Sequence, residues 1–224
     1  MNVELKPIAY YRTKYKVIAG FYKNKRDIDS RIFADIYEEG YIDNNIEAYI
    51  IMINPGSCKP VNGDLDKDII NSAFYSGIKL DLDGFYISEA VCDMAQKCVM
   101  ALMETCNIKK MRILNLSDVM TGNLLEAKKL MGDEKIQMLE SIFSPERSSE
   151  RALVMPCNAV CFISWGTDNK LKDIKKQAIE CLEGYNLIGE PVDEKNFSYR
   201  YIKPRGKLNQ EKVIGTLAIK YLNM

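Results

Sequence analysis

Ala48-Tyr49-Ile50-Ile51-Met52-Ile53-Asn54-Pro55-Gly56-Ser57 is a run of six apolar residues that stops abruptly at turn formers. A strand with one wet face would show a polar residue at every second position. None interrupts this run, so it predicts a strand buried on both faces in the middle of a parallel sheet. Open α/β sheets bind ligands in the crevice beyond the carboxyl ends of their strands. At that edge Asn54 offers a donor and an acceptor, Pro55 fixes φ, and Gly56 and Ser57 allow close approach to the backbone. Asn, Pro and Gly are also the default residues of an ordinary strand-to-loop turn, and that plainer role stands beside the functional one.

Working outward, short apolar runs alternate with longer amphipathic stretches, the order of an α/β protein. Tyr10 to Tyr22 reads as an antiparallel strand or hairpin forming an edge or flap, and Asp27 to Glu39 as a helix stopped by Gly40. Cys58 to Phe85 is a polar excursion with a short helix near Asp66 to Tyr75, placed where lids occur. Ser88 to Cys106 is the clearest helical pattern, with Ser88 as its cap and Ala95, Cys98, Ala101 and Leu102 among the periodic positions. Lys110 to Leu116 predicts a second strand leaving into Ser117-Asp118. Helical stretches follow near Gly122 to Met131 and Glu134 to Phe143. Val160 to Trp165 predicts a third strand leaving into Gly166-Thr167-Asp168. Lys170 to Leu182 then reads as a helix ended by Gly184. Tyr185 to Ile188 and Phe197 to Ile202 are candidates for a fourth strand, and Asn209 for the cap of a last helix running to Tyr221. No repeat or composition break divides the chain, so residues 1–224 read as a single α/β domain with an N-terminal strand/helix extension about 1–46.

Composition narrows the function. The 31 basic and 31 acidic residues of this 224-residue chain balance, so no global field draws it to nucleic acid or to an anionic surface, and any such contact is local. No run approaches the roughly 18 apolar residues of a membrane span, and Met1 to Pro7 lack a signal-peptide core, which predicts a cytoplasmic protein without a membrane partner. Seven cysteines form no Cys-x-x-Cys pair and read as reduced core residues. The chain has no histidine, which removes Ser-His-Asp, Cys-His and His-metal mechanisms together. Neither a metal nor a cofactor is expected.

Three strand ends carry a family resemblance. Met52-Ile53-Asn54-Pro55-Gly56 resembles the Gly-Ile-Asn-Pro-Gly water-activating motif of the mismatch-specific branch of the uracil-DNA glycosylase superfamily. In that superfamily the second strand ends in an Asn-centred stretch and a Leu-Thr turn, echoed by Leu114-Asn115-Leu116-Ser117-Asp118-Val119-Met120-Thr121, and the third in Trp-Gly, echoed by Trp165-Gly166. The chain is still more similar to an uncharacterised bacterial and phage branch, a domain of unknown function. That branch combines an aromatic-basic first strand, a Leu-Asn-Pro-Ser strand end, a Val-Asn-Leu second strand and a Trp-Gly third strand. The likeness runs loosely from Tyr15 to Arg205. It implies a three-layer α/β/α sandwich with a mainly parallel central sheet, uracil-DNA-glycosylase-like. Glycosylases also carry a His-Pro-Ser-like or Asn-Pro-Ser-like loop near the C-terminus. Here the counterpart is Tyr199-Arg200-Tyr201-Ile202-Lys203-Pro204-Arg205.

The resemblance implies recognition of a nucleotide or nucleic-acid base, with hydrolysis of an N-glycosidic bond in which Asn54 positions water. Backbone groups near Pro55, Gly56 and Ser57, together with Asn115, Ser117, Asp118, Thr121, Trp165 and Gly166, would bind substrate. A flipped base would stack on Tyr86, Tyr75 or Phe74, each equally at home in a core. Arg200, Lys203 and Arg205, interleaved with Tyr199 and Tyr201, could hold phosphates of DNA or of a nucleotide, or belong to a solvated edge strand. Asp118 suits a turn cap and Trp165 a core anchor as well as a site. The alternative function is a non-catalytic ligand-sensing or protein-interaction protein that retains the fold.

Overall fold

The computed structural model describes residues 3–41, 43, 45–61, 75, 78–121, 140–156 and 158–224. Among these the chain runs through helix α1 (Ile8–Lys14), strands β1 (Tyr15–Lys23), β2 (Asp29–Glu38), β3 (Ala48–Met52) and β4 (Tyr86–Glu89), helix α2 (Met94–Cys106) and strand β5 (Lys110–Asn115). Helix α3 (Ser148–Val154), strand β6 (Val160–Ile163) and helix α4 (Lys172–Cys181) follow. Strands β7 (Leu187–Gly189), β8 (Pro191–Asp193) and β9 (Ser198–Tyr199) then lead to helix α5 (Lys207–Leu222). The predicted helices near residues 66–75 and 122–139 lie, apart from Tyr75, outside the described residues, as does Phe74; residues 141–143 are not helical.

Every residue of β3 is buried, as the unbroken apolar run requires. It sits inside a seven-stranded sheet of order β4-β1-β2-β5-β3-β6-β7. The half around β3 is parallel, with β3 paired to β5 and β6, and β6 to β7. The other half is antiparallel, joining β4 to β1, β1 to β2 and β2 to β5. The sheet is therefore mixed where a mainly parallel one was expected, because the N-terminal hairpin extends it edge to edge. Ala48, Ile50 and Met52 face one hydrophobic cluster with α2 and α5, while Tyr49 and Ile51 face a second with α4 and Val154 of α3. Helices thus cover both faces, giving an α/β fold. No helix among the described residues is long and apolar enough to cross a membrane.

Several expectations are corrected. Asp27 to Glu39 is not a helix; it is the turn and strand β2. Asn24 explains why: its side-chain oxygen accepts from the backbone N–H of Arg26 and of Ile28, both at 3.0 Å, a local turn that folds β1 back on β2. Asp27 takes φ 58° in that turn, so it bends the chain where the first residue of a helix was expected. Tyr10 to Lys14 is helical, and β1 lies between β2 and β4, so the outer edge belongs to β4. The predicted helix from Ser88 begins only at Met94. Ahead of it Asp93 makes a reciprocal capping box with Gln96, which satisfies orphan N–H groups that Ser88 could not reach. Ser198–Tyr199 pairs with β8 in a separate two-stranded sheet, outside the main one. Helix α5 starts after Gly206 without a side-chain cap, and Asn209 instead donates to the Arg205 carbonyl at 2.8 Å.

A bulge between Gly20 and Phe21 matters for the face each β2 residue presents. Phe21 pairs with Arg31 and Gly20 with Phe33, leaving Ile32 as the extra residue. Ile32 and Phe33 consequently both join the α3/α4 cluster, and Arg31 turns to the opposite face, beside Phe21. A Cβ at Gly20 would lie 2.7 Å from the Phe33 ring, so glycine is what lets the bulge close.

The seam between the hairpin and the parallel half holds a buried ion pair. Asp35 and Arg112 are directly opposed, and the guanidinium binds the carboxylate through two bonds of 2.6 and 2.7 Å. Arg112 also donates to the Val154 carbonyl at 2.8 Å, and the Tyr75 hydroxyl donates to Asp35 at 2.9 Å. Both charged residues are fully buried. Asp35→Ala leaves the guanidinium uncompensated and should lower stability by about 3–5 kcal/mol, read as a lower urea midpoint. Asp35→Asn should lose less, because it keeps an acceptor.

Candidate functional site

Beyond β3 the chain stays tied to its neighbours. Leu116 N–H donates to the Met52 carbonyl at 2.8 Å, Ser117 N–H to Ile53 at 3.1 Å and Ser164 N–H to Ile51 at 2.9 Å. Three strand exits are thereby held side by side. Asn54 projects from the first, and its Nδ2 donates to the Thr121 carbonyl at 2.9 Å. A carbonyl only accepts, so the amide nitrogen must face Thr121, which leaves Oδ1 as an acceptor. Gly56 has φ +67°, and a Cβ there would lie 2.5 Å from Asp93 Oδ2. Glycine is needed twice over, for the backbone angle and for the approach of that carboxylate. Asp93 Oδ1 is committed to the first turn of α2, accepting from Ala95 N–H at 2.8 Å and Gln96 N–H at 2.9 Å. Gln96 in turn donates to Cys58 Sγ at 3.3 Å, locking the loop after β3 onto the helix.

The third exit is held from behind by Lys175, fully buried. Its ammonium donates to the carbonyls of Gly166 and Asp168, both at 3.0 Å, and to Ser198 Oγ at 3.4 Å. Gly166 has φ +84° and forms a β-bridge with Tyr199. Trp165 is buried, donates its indole N–H to the Phe197 carbonyl at 2.7 Å and meets the Tyr199 ring edge-on. Ser164 Oγ donates to the Arg200 carbonyl at 3.1 Å, so the segment after β9 is fastened to the same exit.

These tips surround one cleft of about 990 Å³. Of the residues singled out in the sequence, Asn54, Gly56, Ser57, Thr121, Trp165, Gly166, Arg200 and Lys203 line it. Pro55 is buried, and neither it nor Asn115, Ser117, Asp118 or Arg205 is part of the wall. Asp118 is a structural group. Its carboxylate accepts from the Tyr22 hydroxyl and from Arg147, each at 2.8 Å, and burial pushes its pKa up against that pairing. Ser117 Oγ accepts from Val119 N–H at 3.3 Å, closing the turn. Arg205 is exposed beyond the cleft. Of the stacking candidates, Tyr86 and Tyr75 do not line the cleft either. Tyr86 lies on edge strand β4, stacked on Phe21, and Tyr75 is buried against Asp35.

Among the residues of the cleft wall not singled out in the sequence for the site are Arg12 of α1, Asp93 before α2, and Cys92. Tyr201 also lines it, with its phenol pKa pushed up chiefly by burial. Asp93 had a sequence signal, since Asp-x-x-Gln is a capping box. Arg12 had none, because only tertiary packing brings α1 to the cleft. The rim is charged in both senses: Arg200 pairs with Glu190 at 3.0 Å, Arg12 donates to the Cys92 carbonyl at 3.1 Å, and Lys203 makes no ion pair among the described residues. No cluster of three or more metal-ligating side chains occurs among the described residues. Comparison with protein-family models, with curated proteins and with solved structures finds no match for this chain.

Burial lowers the Lys175 pKa from 10.5 to about 8, so the folded protein releases this proton before the unfolded chain does. Below about pH 8 the burial penalty of the ammonium is fully present in the folded state. Between pH 8 and 10.5 the unfolded chain binds more protons, and stability rises with pH. Wild type should therefore gain stability relative to Lys175→Met on going from pH 7 to pH 10, measured by urea unfolding at both values. A constant difference would contradict this account.

Proposed function

We propose that the cleft binds a nucleotide or a nucleic-acid base on a uracil-DNA-glycosylase-like fold, and that Asn54 positions water for hydrolysis of an N-glycosidic bond. The observation that carries this reading is the orientation of Asn54. Its nitrogen is anchored on Thr121 and the residue lines the cleft, which leaves Oδ1 as the acceptor for a ligand or water. The parallel order β5-β3-β6-β7, with its strand exits around one cleft, supports the same reading.

Cleavage through an oxocarbenium-like sugar asks for an oriented water and for negative charge near the sugar more than for a strong base. Asn54 Oδ1 accepts one water hydrogen and aims the lone pair. Asp93 Oδ2, beside Gly56, supplies the negative charge, and its geometry is held by the α2 cap. A lost hydrogen-bonding group of this kind costs about a hundredfold or more in rate. The expected result is abasic-site formation on oligonucleotides carrying uracil, hypoxanthine or damaged bases, reduced by about that factor in Asn54→Ala. Equal signals from the two proteins would remove Asn54-dependent hydrolysis.

Binding without hydrolysis is the second reading, favoured by the Glu190 carboxylate, which already occupies Arg200. Arg12 and Lys203 remain at the rim for phosphates. If the ligand is nucleic acid, Lys203→Ala should weaken oligonucleotide binding across sequences and lower the slope of log K against log salt by about one. A mononucleotide ligand would show no such change in slope.

A further inference from the structure

Cys58 and Cys92 come together at the joint between the loop after β3 and the start of α2. Beyond Ser57 the chain runs antiparallel to the segment that follows β4. Pro60 bridges Ala90, Val61 N–H donates to the Glu89 carbonyl at 2.9 Å, and Val91 N–H donates to the Lys59 carbonyl at 2.8 Å. These bonds flank Pro60 and Ala90 as a non-hydrogen-bonded pair, the kind in which opposed Cα atoms lie closest. Carried two residues further, the same register sets Cys58 against Cys92. Residues two apart along a strand share a face, and both cysteines belong to the hydrophobic cluster under α2 and α5. One carboxamide spans the short gap between them. Gln96 Oε1 accepts from the N–H of Asp93, the residue after Cys92, at 2.9 Å, and its Nε2 donates to Cys58 Sγ at 3.3 Å.

Both thiols are free, and they differ in access. Cys58 is fully buried. Cys92 is 7% exposed and lines two openings, the main cleft and a side pocket of about 230 Å³ walled in part by Arg12, Lys16 and Glu89. A small reagent entering either one meets Cys92 first. Burial pushes the Cys92 thiol up to about 12; Asp93 and Cys58 add to that push and the Arg12 guanidinium opposes it. Because the thiolate is the attacking form, exchange at Cys92 is slow at neutral pH and quickens as pH rises. In the reduced protein the thiol donates to the Asp93 carbonyl at 3.3 Å and lies 3.9 Å from Met100 Sδ.

We propose that Cys58 and Cys92 form a reversible thiol–disulfide site, oxidised by a low-molecular-weight disulfide of the glutathione type, which latches the Asn54–Ser57 loop to the start of α2. The Cys92 thiolate attacks one sulfur of the reagent, forming a mixed disulfide and releasing one thiolate. Cys58, as thiolate, then attacks the Cys92 sulfur, and the second reagent thiolate leaves. Two protein thiols give up two protons and two electrons, and the reagent is reduced to two thiols. The new bond takes Cys58 Sγ from Gln96. It fixes covalently the spacing of Gly56 and Ser57 from Asp93, all three on the cleft wall, whatever the cleft binds.

Wild type, Cys58→Ala, Cys92→Ser and Cys181→Ser are incubated with oxidised glutathione and then with dithiothreitol. The linkage is mapped by non-reducing digestion and mass spectrometry, and amide hydrogen exchange is followed in both states. Wild type and Cys181→Ser should form one Cys58–Cys92 bridge that dithiothreitol reverses. Cys58→Ala should stop at a glutathione adduct on Cys92, and Cys92→Ser should leave Cys58 unmodified. Bridge formation should quicken about tenfold per pH unit between pH 7 and 9, following the thiolate fraction. In the bridged protein amide exchange at residues 56–58 should slow about tenfold or more. A stable glutathione adduct on wild-type Cys92 without a bridge, a bridge to another cysteine, or reaction only in urea would overturn the proposal and leave both residues as inert core. A bridge that leaves exchange at 56–58 unchanged would also overturn it, because nothing is latched. If a variant fails to fold, the bridge mapped in wild type decides by itself.

Discussion

Parallel pairing of β3 with a strand on each side sets the level at which the chain can leave the sheet. Met52 lies opposite Asn115 and Ile51 opposite Ile163, so the three exits emerge within a residue or two of one another. Because β3 is buried on both faces, it has no wet side along which polar groups could be displayed, and polarity collects at its end. Asn54, the Thr121 carbonyl and the turn after Trp165 meet there by necessity of register. A one-residue slip would exchange the two faces of β3 and break both cores together.

The antiparallel hairpin adds what the parallel half lacks. It widens the sheet and delivers two buried arginine environments of opposite character to the same strand pair. Arg112 is matched by Asp35 across β2 and β5, with the Tyr75 hydroxyl and the Val154 carbonyl completing the site. Arg31, four residues before Asp35 on β2, faces the other layer and makes no ion pair among the described residues. The bulge at Gly20 separates the two, since it reverses the facing of the residues before it. One serves cohesion, and the other is buried with two guanidinium nitrogens unpartnered.

Rigidity around the cleft comes from short local bonds. The α2 cap fixes Asp93, Gly56 allows the loop to lie against that carboxylate, and Lys175 gathers two carbonyls and a hydroxyl behind the third exit. Each device constrains backbone around the cleft, and none of them uses Asn54 Oδ1. Preorganisation of this kind favours binding and catalysis alike, because little ordering remains when the ligand enters.

By itself the sequence determined the centre of the molecule. An uninterrupted apolar run is legible as a two-face-buried strand, as were β5, β6 and the helix ended by Gly184, because period and turn chemistry are local properties. The α/β class and the meeting of the Asn54, Thr121 and Gly166 tips followed from that order. Tertiary structure alone decided the rest. Ile28, Ile32, Phe33, Ile36 and Tyr37 have helical spacing, yet the Asn24 turn and pairing with β1 make them a strand, since pairing of distant residues outweighs propensity. Asp118 and Tyr75 are site candidates in the sequence and internal braces in the fold, whereas Trp165 is both a buried anchor and part of the cleft wall. Arg12 and Arg31 carry no sequence signal at all. A guanidinium becomes a cleft wall, or a charge without a counterion, only through which face and which neighbour the folded sheet assigns to it.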